Sequence, residues 1–377
     1  MTSVSRPRGR QTGWLGAILR WSPQRQPALW LGIAATFALV AAGLPIAFAS
    51  MEGAGSAPTT LAGAPTGLSA VIARHERETD VLVLRRLSDG NERVVAQVPH
   101  LPDHAVRAAV SPLGAMVAVV APDGGSVSRP VGTLKLVTLP EGEISTAMIS
   151  VDPLSTPVWR PDGAAVIVRA LPTEDGTVTL HEVPVDGRPG QVRARFEDIL
   201  GAYPVGFDAG GRLLVVLIDG RGSTLVREDG ASWELAQGVT RDWELSPDGS
   251  VLAYIEDSHD DGLVFKARIQ PLDGLASAAA AVDVPGQQLG VAWRPGGAAP
   301  TFGFDPGTAG SQAAAAASRK DGFDIPIAYS PDGQVLAVEA WSGGSFAQRK
   351  DADLGFITAS GRVALEGAMR FVGWSGR

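Results

Sequence analysis

The stretch "YSPDGQVLAV", residues 329–338, recurs in variant form through most of the chain, as "LSPDGSVLAY" at 245 and "WRPDGAAVIV" at 159. Aligned on the residue after the aromatic or apolar position, the units start at Ser111, Arg160, Asp208, Ser246, Arg294 and Ser330. The closing "GWSGR" puts Ser375 in the same register. The steps between them are 49, 48, 38, 48, 36 and 45 residues. A repeat of this length constrains the fold more than any composition does, because one such unit cannot bury its own faces and must stack on its neighbours.

Each unit reads alike inside. A short apolar strand runs into the signature, as in "TPVWRPDG". A turn comes next, at Pro161, Asp162 and Gly163, at Pro247, Asp248 and Gly249, and at Pro331, Asp332 and Gly333. Pro presets φ, Asp bonds the backbone and Gly accepts positive φ, so these residues carry turn chemistry. Then there is a strand of apolar residues, and two more joined by turns such as "PVDGR" at 184 or "REDGA" at 227. Four strands in about 45 residues is the size of a β-propeller blade.

The ends predict closure. "LSAVIAR", "DVLVLRRL" and "ERVVAQV", between 68 and 98, supply three strands without a signature, and residues 375–377 lie in the register of the missing one. The C-terminal strand is expected to complete the first blade and close a ring over 68–377. The count is seven blades, or six if the unit from 294 to 330 is degenerate, since its "SQAAAAASRK" is a poor strand.

The W/F/Y-S-P-D-G-x-x-L-A phrase with later D-G hairpins resembles the repeat of TolB-type propellers, bacterial relatives of WD-repeat propellers. The resemblance covers nearly all of 68–377 and implies the fold rather than an activity. TolB proteins carry a further N-terminal domain. Here an apolar segment and a short tether occupy that place, so a role in the Tol–Pal system is not implied.

"ALWLGIAATFALVAAGLPIAFAS", 28–50, has no charge, and about 20 apolar residues cross a bilayer core. Residues 1–27 carry five arginines and no acid, which orients them to the cytoplasm and places the chain beyond residue 50 outside. Pro45 and Ala47-Phe48-Ala49 also fit a signal cleavage site near Ala49, which would release a secreted protein. Residues 51–67 are small and rich in Pro and Gly, and read as a flexible linker. Beyond residue 27 the chain holds 27 basic and 40 acidic residues, the wrong sign for gripping nucleic acid.

Candidate chemistry is sparse. With no cysteine there is no disulfide, thiolate site or Cys nucleophile. No G-x-S-x-G elbow or phosphate loop occurs. "EDSHDDG" at 256–262 loosely mimics a calcium loop, but Arg268 stands where the twelfth-position acid belongs, so a solvated turn is expected. The five histidines show no helical metal-ligand pair, and a proline separates His100 from His104. No metal or other cofactor is implied. Trp159, Phe207, Trp293, Tyr329 and Trp374 recur at one strand position, as residues that pack between blades do. The expectation is a tethered, extracytoplasmic, non-catalytic binding protein for an envelope protein or extracellular ligand. The alternative is a channel-centred enzyme, such as a metal-assisted hydrolase or lactonase.

Overall fold

The computed structural model describes residues 59–258, 264–273, 279–282, 287–305, 322–343, 346 and 350–376. These form an all-β propeller of antiparallel sheets. The first sheet holds β1 (Ser69–His75), β2 (Thr79–Arg86) and β3 (Glu92–Pro99). The second holds β4 (Arg107–Val110), β5 (Met116–Ser126), β6 (Arg129–Thr138) and β7 (Ile144–Val151). The third holds β8 (Val158–Trp159), β9 (Ala165–Arg169), β10 (Val178–Pro184) and β11 (Gln191–Phe196). Next come β12 (Gly201–Phe207), β13 (Leu213–Asp219), β14 (Gly222–Arg227) and β15 (Ser232–Ala236). The fifth holds β16 (Thr240–Leu245), β17 (Val251–Ser258), β18 (Val264–Pro271) and β19 (Ala280–Ala281). A two-stranded sheet, β20 (Gln287–Trp293) and β21 (Pro300–Asp305), comes after it. The last sheet holds β22 (Phe323–Tyr329), β23 (Leu336–Trp341), β24 (Ala352–Ile357) and β25 (Arg362–Leu365).

The final strand, β26 (Met369–Ser375), returns to the first sheet and pairs antiparallel with β1, Ser69 opposite Ser375 and Ala73 opposite Arg370. It gives that sheet the order β26-β1-β2-β3. The signature-bearing strands β26, β4, β8, β12, β16, β20 and β22 touch one another in succession and form the inner ring.

Six blades are complete four-stranded sheets, where the period predicted seven units. The difference lies in the unit between Arg294 and Ser330. Its first two strands form β20–β21, and residues 306–321, with the alanine run, fall outside the described residues. The expected membrane segment 28–50 also lies outside them. Among the described residues no helix is long and apolar enough to cross a membrane.

Alternation along each strand explains the packing, because successive side chains point to opposite faces and each face meets a neighbouring blade. On β1, Ala70 and Ile72 pack with Leu354 and Phe356 of the last blade. Val71 and Ala73 pack instead with Val117 and Val119 of the second. On β5 the opposite set, Ala118 and Val120, packs with Val166 and Val168 of the third. A middle strand buried on both faces therefore reads as the unbroken apolar runs seen in "VAVV" and "LLVVLI".

The linker boundary needs correction. Residues 59–67 were expected to be free tether, yet Leu61 is buried in the seam between the last and first blades. Its amide donates to Leu87 O at 3.0 Å, and Thr358 Oγ1 donates to Ala62 O at 2.6 Å. One leucine among small residues suffices to dock this stretch.

Candidate functional site

The repeat residues build turns. Asp162 Oδ1 accepts from Ala164 N at 3.0 Å, Asp248 Oδ1 from Ser250 N at 3.1 Å, and Asp332 Oδ1 from Gln334 N at 3.0 Å. Gly163, Gly249 and Gly333 sit at φ of 71°, 67° and 69°, where a side chain would be strained. Bonds from Ser246 Oγ and Ser250 hold the Asp248 carboxyl down at about 2. Each turn lies on its own blade against the signature turn of the unit before it, Gly163 by Leu113, Gly249 by Asp208 and Gly333 by Arg294, and the carboxylates of Asp162, Asp248 and Asp332 are each engaged within their own turn. The tryptophans stitch blades: Trp159 Nε1 donates to Ala109 O at 2.9 Å, and Trp293 Nε1 to Glu244 O at 3.0 Å. Trp374 packs on Phe356 and Phe371 at the closing seam.

The described residues do hold a polar cluster that the repeat does not announce. β1 ends on His75 and β2 brings Asp80 directly opposite it in register. β3 runs back to the same end, where His100 comes after Pro99. Asp80 is fully buried. Its Oδ1 lies 2.7 Å from His75 Nδ1 and 3.3 Å from His100 Nε2. Its Oδ2 accepts from Val106 N at 3.0 Å and from Arg370 Nη2 at 2.6 Å. Arg370 Nη1 also donates to Val106 O at 2.7 Å. The two imidazoles stack, with centroids 5.2 Å apart and planes 9° from parallel. The cluster thus ties β1, β2 and β3 to the closing strand and to the segment that enters the second blade.

Burial alone would raise the Asp80 carboxyl. The His100 and His75 rings, the Arg370 charge and the Val106 amide outweigh it and hold the carboxyl at about 2. Burial likewise pulls His100 down, but Asp80 and Leu101 O push it above its ordinary value. Burial and then the Arg370 charge lower Arg107.

The histidines offer no metal-ligand pair on a helix face, and it is strand pairing that gathers a donor set. His75, Asp80 and His100 each offer one ligand atom, all within 4.8 Å of one another. A search for helical spacing misses them because antiparallel pairing, not a helix face, makes them neighbours. The usable signal was positional: one strand's end, the next strand's start and the third's end lie at the same edge of a meander. His104 stands apart, with Nε2 on Val127 O, and His181 lies on β10. Of the acidic stretch at 256–262, Asp257 is buried at the end of β17 rather than solvated, and 259–263 lie outside the described residues.

Two further features stand out. Glu244 lies on inner strand β16 with its side chain exposed, and the protein mass around it raises its carboxyl by desolvation. On the rim, the outermost strands β3, β11, β15 and β25 each carry charge, Glu92 and Arg93, Arg193 and Arg195, Glu234, and Arg362, and the two-residue β19 carries none. Outermost strand β7, "ISTAMISV", carries none along eight residues, and leaves Ile144 and Ile149 exposed at 44% and 69%.

No family model matches the chain, and no curated protein matches it in sequence. Solved structures match in fold. TolB from Acinetobacter baumannii aligns over 83% of this chain and 67% of its own at 14% identity, with a TM-score of 0.51. The β-propeller domain of the Trilobed protease from Pyrococcus furiosus aligns over 82% of this chain and 98% of its own at 11% identity, TM-score 0.53. A prolyl endopeptidase aligns over 80% of this chain at 13% identity, TM-score 0.53, and the chain spans only 50% of that enzyme. The shared feature is the propeller.

Proposed function

We propose that the chain is a membrane-tethered, extracytoplasmic propeller that binds an envelope protein and is not itself an enzyme. The propeller likeness to TolB supports a binding scaffold, and the observation that carries the reading is β7. Over residues 144–148 this uncharged edge strand offers backbone groups that proteins ordinarily blunt with charge, while at its far end Ser150 O and Val151 already pair with Leu171 and Ala170. Such an edge suits an extended segment of a partner, which gains main-chain bonds while its side chains meet Ile144 and Ile149. The basic leader and the apolar run 28–50 supply the tether, and we read β20–β21 as the inner half of a seventh blade.

The direct test is affinity purification of the full chain from membranes of the cells that make it, beside an Ile149→Lys variant. The reading expects an envelope protein that co-purifies with the wild type and is depleted at least roughly tenfold by the added charge, about 1.4 kcal/mol of binding. Equal recovery with both would discard β7 as the contact.

A channel-centred enzyme, such as a metal-assisted hydrolase or lactonase, is the second reading. Glu244 favours it, as an exposed carboxyl on an inner strand whose pKa is raised is suited to proton transfer. The His75–Asp80–His100 cluster favours it less, because Asp80 and His100 offer a substrate almost no surface.

A further inference from the structure

We propose that His75 Nδ1, His100 Nε2 and Asp80 Oδ1 form a structural site for a zinc-class divalent cation that fastens the ring where β26 closes it.

The His100 tautomer is set by its backbone neighbour. His100 Nδ1 lies 2.8 Å from Leu101 O, and a carbonyl only accepts, so Nδ1 carries the proton. Nε2 then faces Asp80 either as a second N–H, in the charged ring, or as a bare lone pair, in the neutral one. That nitrogen is buried and makes no hydrogen bond, although Asp80 Oδ1 is only 3.3 Å away. Without that proton the two lone pairs face each other at this distance and repel. A cation between them converts both into ligands.

The spacing agrees. Zinc–nitrogen and zinc–oxygen bonds of about 2.1 Å set tetrahedral ligands about 3.3–3.4 Å apart. The surroundings also match a metal site, in which outer partners fix each ligand's orientation. Leu101 O orients His100, while Arg370 and the Val106 amide hold the second Asp80 oxygen and leave Oδ1 for the site. Two imidazoles and a carboxylate suit zinc over calcium or magnesium, which prefer oxygen ligands. Arg370 opposes a cation by its charge, and Asp80 screens it by direct pairing. The burial of Asp80 and His100 makes the site structural. Its place across β1, β2, β3 and the β26–Val106 contact makes it a fastener of the closure.

The test uses the full chain in detergent, purified without a histidine tag, stripped with chelator and re-equilibrated with zinc chloride before desalting. The expected result is about one zinc per chain by mass spectrometry, with affinity reduced tenfold or more in His75→Ala and in His100→Ala. His104→Ala, a histidine outside the cluster, is expected to keep its zinc. Cobalt in place of zinc is expected to give visible ligand-field bands that His75→Ala loses while its circular dichroism stays native. Absence of retained zinc in the folded wild type, or equal retention by wild type and a folded His75→Ala, would overturn the proposal and leave a hydrogen-bonded closure knot.

Discussion

Asp80 carries its charge without access to solvent, and His75, His100, Arg370 and the Val106 amide share it. Removing one member of such a buried network strands the others. Asp80→Asn leaves the Arg370 guanidinium without its counter-charge, and because Arg370 is partly exposed the cost is about 1–2 kcal/mol. The expected outcome is a lowered denaturant midpoint, and an unchanged midpoint would show the network to be idle. Glu244 gives a second prediction of opposite origin. Its folded carboxyl titrates near 7, above its unfolded value, so the folded state holds this proton more tightly than the unfolded chain does. Its contribution to stability is therefore greatest below the ordinary carboxylate range and is lost as pH rises towards 7, and it is small because the side chain is exposed to solvent. Glu244→Gln is expected to flatten the fall in thermal midpoint between pH 5 and 8, and parallel curves for the two proteins would contradict this. At this scale the sequence was legible only where chemistry is local. Asp162, Asp248 and Asp332 announce turns through the Pro and Gly beside them. Asp80 has no such neighbours, and its meaning depends on partners as distant in sequence as Arg370.

The apolar runs announced the strands because burial on both faces removes alternation and leaves continuous hydrophobic stretches. β1, β2 and β3 begin and end within a residue or so of the sequence reading. The weak unit was legible in part: the alanine run in "SQAAAAASRK" marked 294–330 as the poor blade, while its signature at Arg294 still announced a full repeat. The docking of Leu61 was hidden, since a single apolar residue in a Pro/Gly-rich stretch gives no periodic signal. β26 is the element with the most at stake. It carries Arg370, Phe371 and Trp374 into the seam and covers the inner edge of β1. A chain truncated after Gly367 is expected to lose the single cooperative calorimetric transition and to aggregate, because β1 then exposes an edge and its apolar face. A sharp transition at the wild-type temperature would show that closure contributes little. For β7 the expectation is the reverse: Ile149→Lys changes recognition while stability stays within about 0.5 kcal/mol, as is usual for an exposed position.

At the scale of the entire chain, an acidic propeller behind a basic leader and an uncharged run fits a body held outside the membrane. The absence of cysteine makes this directly testable, since one engineered thiol is the only one in the chain. Arg221→Cys, in the exposed β13–β14 turn, is expected to react with a membrane-impermeant maleimide in intact cells. Labelling only after lysis would place the propeller inside. The fold was readable at this scale because the repeat imposes it many times over. The function was not, because a propeller's partners are chosen by rim and loop residues that break the repeat rather than obey it. Recognition along β7 is best tested by photocrosslinking in intact cells, with p-benzoylphenylalanine in place of Ile149 and, as the control, in place of Arg221. Binding along β7 predicts a discrete adduct with an envelope protein from position 149 and none from position 221. No adduct at 149, or the same adducts at both positions, would contradict it.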